Sequence, residues 1–91
     1  MPKYCVYILD CTNCKRNLTY TGYTIDIKKR LNKHNNNKGA KFTRGRKWKV
    51  IYKKFFISKK KAMSYEYKLK NNYILKKEII NKYGYSNNFT I

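Results

Sequence analysis

The sequence predicts a small domain of the α+β class, and three observations carry that reading. Two runs rich in aromatic and β-branched residues, Tyr4 to Leu9 and Leu18 to Tyr23, are separated by a short polar connection and read as an antiparallel pair of strands. A third such run, Trp48 to Ile57, lies between stretches of helical character, which gives the order β-β-α-β-α-α. The chain has 91 residues, 42% of them hydrophobic, enough for one core with little room for a second domain. A chain of this size buries about 60–65% of its unfolded surface.

Each element has a local cause. The first run has no polar alternation, as a buried strand should. Asp10 to Arg16 is a polar connection. After the second strand, Thr24 or Asp26 caps a helix running to about Asn36, and the charge of Asp26 suits the positive end of the helix dipole. From Lys33 to Lys47 the chain reads KHNNNKGAKFTRGRK, with two glycines, no aliphatic side chain larger than Ala and six basic residues in fifteen. This is a basic loop. Ser58 caps a second helix that runs through about Lys70, where Asn71-Asn72 breaks it. A third helix, Tyr73 to Tyr83, is stopped by Gly84. Residues 1–84 therefore form the domain, and 85–91 are a C-terminal tail.

Charge narrows the function. Lys and Arg number 23 against four acids, for a formal charge of +19. A chain so basic suits a polyanion, because each neutralised phosphate releases condensed counterions. Lys, Asn, Tyr and Ile make up 49 of the 91 residues, and all four have codons built from A and T, so base composition alone inflates Lys. It does not account for the scarcity of Asp and Glu, whose codons are also mostly A/T. With only Asp10, Asp26, Glu66 and Glu78 available, no carboxylate cluster of three or four can be assembled. The basic residues do not oppose a wide apolar face, which argues against a membrane surface.

Cys5, Cys11 and Cys14 are an odd count with no disulfide framework. The Cys11-Thr12-Asn13-Cys14 spacing lacks two further ligands for zinc. It also lies in a polar loop, where a redox CxxC opens a helix. Reduced structural thiols are the expectation. The longest N-terminal apolar run is too short for a signal peptide or a membrane span, so an intracellular protein, cytoplasmic or nuclear, is expected.

Two helix faces break the local pattern, and such positions are where function concentrates. At 100° per residue, Ile27 and Leu31 define the buried stripe of the first helix, with Arg30 and His34 beside it and Lys28, Lys29 and Lys33 in solvent. Taken alone, this suits a snorkelling Arg30 and a half-buried His34. On the second helix Ala62, Met63, Leu69 and Tyr73 trace an apolar arc with Glu66 in its middle. An inward carboxylate needs a cation, either in a buried salt bridge such as one to Arg30 or as a bound metal. Glu78 has Lys82 four residues on and reads as an exposed pair. Asp10, at a strand end, serves a turn. Tyr7 and Tyr20 lie on the paired strands, and Gly22 would let a ligand or backbone approach closely. Phenols on a sheet are ordinarily amphipathic core.

Val6-Tyr7-Ile8, Tyr20-Thr21-Gly22, then Arg30 and His34 ten and fourteen residues after Tyr20, and Glu66 on a later helix resemble the GIY-YIG endonuclease family. The resemblance runs from Tyr4 to about Lys70. It is strongest in Tyr20-Thr21-Gly22-Tyr23-Thr24, RLNKHN and KGAKFTRGR, which look closest to the small single-domain branch and to the flap and junction nucleases. Val6 stands for the first Gly of the name motif and Thr21 for its second Ile, both at backbone-packing positions. The late Asn of many members has three candidates here, Asn71, Asn72 and Asn81. The resemblance implies a three-stranded antiparallel sheet flanked by helices. It also implies an endonuclease dependent on Mg²⁺ or Mn²⁺ that hydrolyses phosphodiester bonds, in DNA ahead of RNA, with structure-specific cleavage and DNA repair as the setting. Glu66 would hold the metal, Arg30 would stabilise transition-state charge, and Tyr7, Tyr20 and His34 would orient and deprotonate the attacking water. Lys41, Arg44, Arg46 and Trp48 would contact the nucleic acid, with Phe42 or Trp48 stacking an unpaired base. A protein partner could supply targeting. A basic nucleic-acid-binding module that keeps the fold without turnover is the alternative.

Overall fold

The computed structural model describes residues 3–15 and 18–84. A single sheet organises them, in the order β2 (Thr19–Thr24), β1 (Tyr4–Cys11), β3 (Trp48–Phe56). The central strand pairs antiparallel with both neighbours. Helix α1 (Ile27–Asn35) follows β2, α2 (Lys59–Asn71) and α3 (Tyr73–Ile79) follow β3, and a π-helical segment at Ile80–Gly84 continues α3. This is the α+β, three-stranded antiparallel architecture that the sequence predicts. The tail at 85–91 lies outside the described residues.

Both faces of β1 are covered, which is why its apolar run is continuous. One face packs Val6 and Ile8 against Ala62, Leu69 and Ile79, with Tyr65 and Leu75 at the margin. The other packs Cys5, Tyr7, Leu9 and Cys11 against Trp48, with Tyr20, Ile27, Leu31 and Val50 around them. The pairing of β1 with β3 shifts between Ile8 and Leu9, so that Ile8 faces Tyr52 while Leu9 faces Val50. Ile51 is the extra residue of this bulge. A strand that slips by one residue turns every later side chain to the other face. The bulge therefore lets Ile51 and Tyr52 join one core while Val50 and Trp48 join the other.

Several element ends are set by side chains. Asp26 caps α1 by accepting a hydrogen bond from the Lys29 amide at 3.1 Å. Ser58 caps α2, and Asn72 both ends α2 and caps α3, accepting from the Leu75 amide at 3.0 Å. The basic loop contains a short 3-10 turn at Lys41–Thr43. On α2 the buried positions are Ala62 and Leu69; Met63 is 46% and the neighbouring Tyr73 75% exposed, so the expected apolar arc is narrower. Asn71-Asn72 turns the chain before Tyr73, which takes that ring off the α2 face.

The cysteines correct the expectation of three reduced thiols. Cys11 and Cys14 are joined as a disulfide, their Cα atoms 5.8 Å apart, a span that a disulfide bridges. The turn is drawn tight against the start of β3, where the Thr12 amide donates to the Lys47 carbonyl at 2.8 Å and Asn13 Oδ1 accepts from the Lys47 amide at 2.9 Å. Cys5 is free and buried, and burial pushes its thiol pKa up. Among the described residues no helix is long and apolar enough to cross a membrane.

Candidate active site

Strand register assembles the site. Tyr7 lies opposite Gly22, and Leu9 opposite Tyr20, so alternation puts Tyr7, Tyr20 and Gly22 on one face. Helix α1 packs over that face through Ile27 and Leu31, and its last turn delivers His34. The rings of Tyr7 and Tyr20 are 6.4 Å apart, and His34 is 6.1 Å from the first and 5.0 Å from the second. His34 is fully buried rather than half-buried. Its Nε2 is hydrogen-bonded to the Tyr7 hydroxyl at 3.0 Å, and its Nδ1 lies 2.9 Å from Thr43 Oγ1.

The electrostatics follow from this packing. Burial, and then the nearby positive charge of Arg30, push the His34 pKa down from 6.5 to about 4. Burial pushes Tyr7 up to about 12, against the stabilising hydrogen bond of Arg30 and with the charges of Tyr20 and Glu66 adding to the rise. Near neutral pH the pair is therefore uncharged, a phenol beside a neutral imidazole. Arg30 is held strongly protonated, first by its hydrogen bond with Tyr7. Its Nε is buried and has no hydrogen-bond partner among the described residues. Such a donor costs about 1–3 kcal/mol until something accepts from it.

Glu66 stands apart from this hydrogen-bonded group. It projects from α2, and its charge reaches Tyr7. Its ion pair is with Lys70, four residues on, at 3.7 Å, rather than with Arg30. The Glu66 side chain is 18% exposed, so a cation can reach it. Among the described residues no three or more His, Cys, Asp or Glu side chains cluster as metal ligands. The donor set therefore fits a hard cation that keeps several waters, the Mg²⁺ habit, and does not fit a closed protein cage.

Two glycines make the arrangement sterically feasible. A Cβ on Gly22 would come within 2.7 Å of the Tyr7 hydroxyl, and one on Gly39 would overlap His34 Nδ1. The composition of the basic loop announced Gly39 only as a loop residue. Thr43 and Asn35 were likewise unannounced, since their partners lie across the fold. Asn35 clips β3 by accepting from the Trp48 amide at 2.6 Å and donating to its carbonyl at 3.1 Å.

The loop's basic residues border the site. Lys41 and Arg44 are exposed. Arg46 lies over the Phe42 ring at 5.0 Å, and Phe42 stacks on Tyr20 at 6.3 Å. Trp48 is a correction: it is 3% exposed, and its Nε1 donates to the Thr43 carbonyl at 3.1 Å. Its ring anchors the loop from inside and is not available to stack a base.

The GIY-YIG catalytic domain family matches residues 3–88. The chain belongs to the GIY-YIG family. Relatives support this. A UPF0213 protein of Streptococcus agalactiae is 48% identical over 67 residues, covering 72% of each chain. One of Halalkalibacterium halodurans is 46% identical over 74 residues, covering 80% of this chain and 76% of its own. The solution NMR structure of that same UPF0213 protein, its source also named Bacillus halodurans, aligns with a TM-score of 0.51 at 41% identity, over 87% of this chain and 82% of that one. The GIY-YIG family is one of nucleases, and in this chain Tyr7 and Tyr20 are the two phenols that face His34 and Arg30.

Proposed function

We propose that this protein is a divalent-metal-dependent endonuclease that hydrolyses phosphodiester bonds in DNA, with branched or flapped structures as its preferred substrates and repair as its setting. The observation that carries the reading is the buried Tyr7–His34 pair beside an Arg30 whose Nε has no partner among the described residues. A phosphate oxygen is the acceptor that this donor fits, and bound there it would offset the part of the His34 depression that Arg30 adds to that of burial. Water attacking the phosphorus would lose its proton to the Tyr7 oxygen as Tyr7 passes its own to His34 Nε2, while the opposite P–O bond breaks and the departing nucleoside oxygen takes a proton from solvent. This makes Tyr7 the phenol in the relay, with Tyr20 flanking it. Arg30 would then face the charge that builds on the phosphoryl oxygens. Glu66 would hold the cation, whose chemistry is Lewis-acid stabilisation of that same charge. Lys41, Arg44 and Arg46 would track the backbone.

The test pairs wild type with Glu66→Gln on labelled duplex, flap, junction and single-stranded DNA and the matching RNA, with and without Mg²⁺. Wild type should cut at least one DNA substrate only with Mg²⁺, and Glu66→Gln should bind it without cutting, even at raised Mg²⁺. Binding without cleavage by wild type across the whole panel would instead assign a non-catalytic module.

A further inference from the structure

The Tyr7–His34 pair works as a relay only if the imidazole presents a lone pair to the phenol. A neutral imidazole has two tautomers, and the hydrogen bond made by one nitrogen decides the state of the other. We propose that Thr43 is the positioning residue that fixes His34 as its Nδ1–H tautomer, leaving Nε2 bare toward Tyr7. This deepens the nuclease reading and rests on it for its catalytic consequence.

The assignment follows from counting protons. Thr43 Oγ1 lies 2.7 Å from the Ala40 carbonyl, which can only accept, so the threonine's single hydroxyl proton is directed there. The same oxygen is 2.9 Å from His34 Nδ1 and has only lone pairs left to offer, so Nδ1 must donate. Nε2 is then unprotonated, and the Tyr7 hydroxyl at 3.0 Å donates to it. The opposite tautomer would require Thr43 to turn its proton to Nδ1 and give up the Ala40 bond. It would also aim an N–H at the phenol oxygen, where the relay needs an acceptor.

Thr43 is itself held. Its amide donates to Ala40 at 3.0 Å, its carbonyl accepts from the buried Trp48 indole at 3.1 Å, and its side chain is fully buried. Gly39 packs against the imidazole where any Cβ would overlap it, so His34 cannot swing away. The basic loop therefore has a second task beside phosphate contact, which is to set the proton inventory of the relay.

The chain has one histidine, so its ring nitrogens can be read directly by ¹⁵N NMR of the labelled protein. Wild type at neutral pH should show a protonated Nδ1 and an unprotonated Nε2. Thr43→Val keeps the shape without the hydroxyl and should lose that pattern, moving toward Nε2–H. Thr43→Ser should keep it. Single-turnover cleavage should fall about 10–100-fold in Thr43→Val, with DNA binding within about twofold of wild type, and Thr43→Ser should recover most of the rate. An Nε2–H wild type, or a Thr43→Val protein with the wild-type pattern, overturns the proposal. If Thr43→Val fails to fold, Thr43→Ala and Thr43→Ser supply the same comparison. Should no substrate be cut by wild type, the spectra still decide the tautomer, so failure of the nuclease reading is told apart from failure of this one.

Discussion

Acid should destabilise this protein through a single residue. His34 is neutral and buried in the fold, with its pKa pushed down from 6.5 to about 4 by burial and by Arg30. Between those two values the unfolded chain takes up a proton that the folded chain refuses, so stability falls as pH falls through the window. The loss is complete below the folded value. At 1.36 kcal/mol per pKa unit it amounts to about 3 kcal/mol, a large share of the stability of a domain this small. The assay is urea unfolding of wild type and His34→Gln at intervals from pH 4 to 8. Asp10, whose pKa is raised by burial, acts with the opposite sign, but it is common to both proteins and cancels in their difference. The difference should shrink by about 3 kcal/mol on acidification from pH 8 to 4. The ring proton of the single histidine gives an independent check, with an expected midpoint near 4. A midpoint at 6.5 or above, or parallel stability–pH curves for the two proteins, would refute the reasoning.

The other expectations concern the site directly. Arg30→Ala should slow single-turnover cleavage at least about a hundredfold with a far smaller effect on binding; loss of affinity alone would make Arg30 a simple phosphate clamp. Glu66→Gln breaks only an i,i+4 pair with Lys70, which is 47% exposed, so its melting temperature should hardly move while cleavage disappears. A clear drop in melting temperature with metal-dependent cleavage intact would remove Glu66 as the metal ligand. Gly39→Ala and Gly22→Ala push a methyl group into His34 and Tyr7, and each should cost about 1–3 kcal/mol in chemical denaturation and most of the cleavage rate. Replacing Lys41, Arg44 and Arg46 together by Ala should flatten the slope of log K against log salt by up to about 2.7 on duplex DNA. An unchanged slope takes the loop out of the interface.

Much of this molecule was legible in its sequence because local physics and burial agree there. The three strands show as runs of aromatic and β-branched residues. Two caps show, Asp26 as one of a pair of candidates with Thr24 and Ser58 alone, each accepting an amide of its helix's first turn, while Asn72 shows only as a break and its cap on α3 does not. The charge, which needs no fold at all, already pointed to a polyanion. Tyr7, Tyr20, Arg30, His34 and Glu66 were each visible as residues, but spacing along separate elements says nothing of distance between them. Only the β1–β2 register, with α1 laid over it, brings Tyr7, Tyr20 and His34 together and leaves Arg30 beside them. The Cys11–Cys14 bond was likewise settled by where the chain turns, whereas the Glu66–Lys70 pair is the i,i+4 spacing of α2 itself. Trp48 shows the limit most clearly. In a basic stretch an aromatic ring reads as a surface for bases, yet the bulge at Ile51 puts it in the core that α1 covers, where it anchors Thr43. Composition determines what a loop can touch, whereas packing determines which of its side chains are left outside to do so.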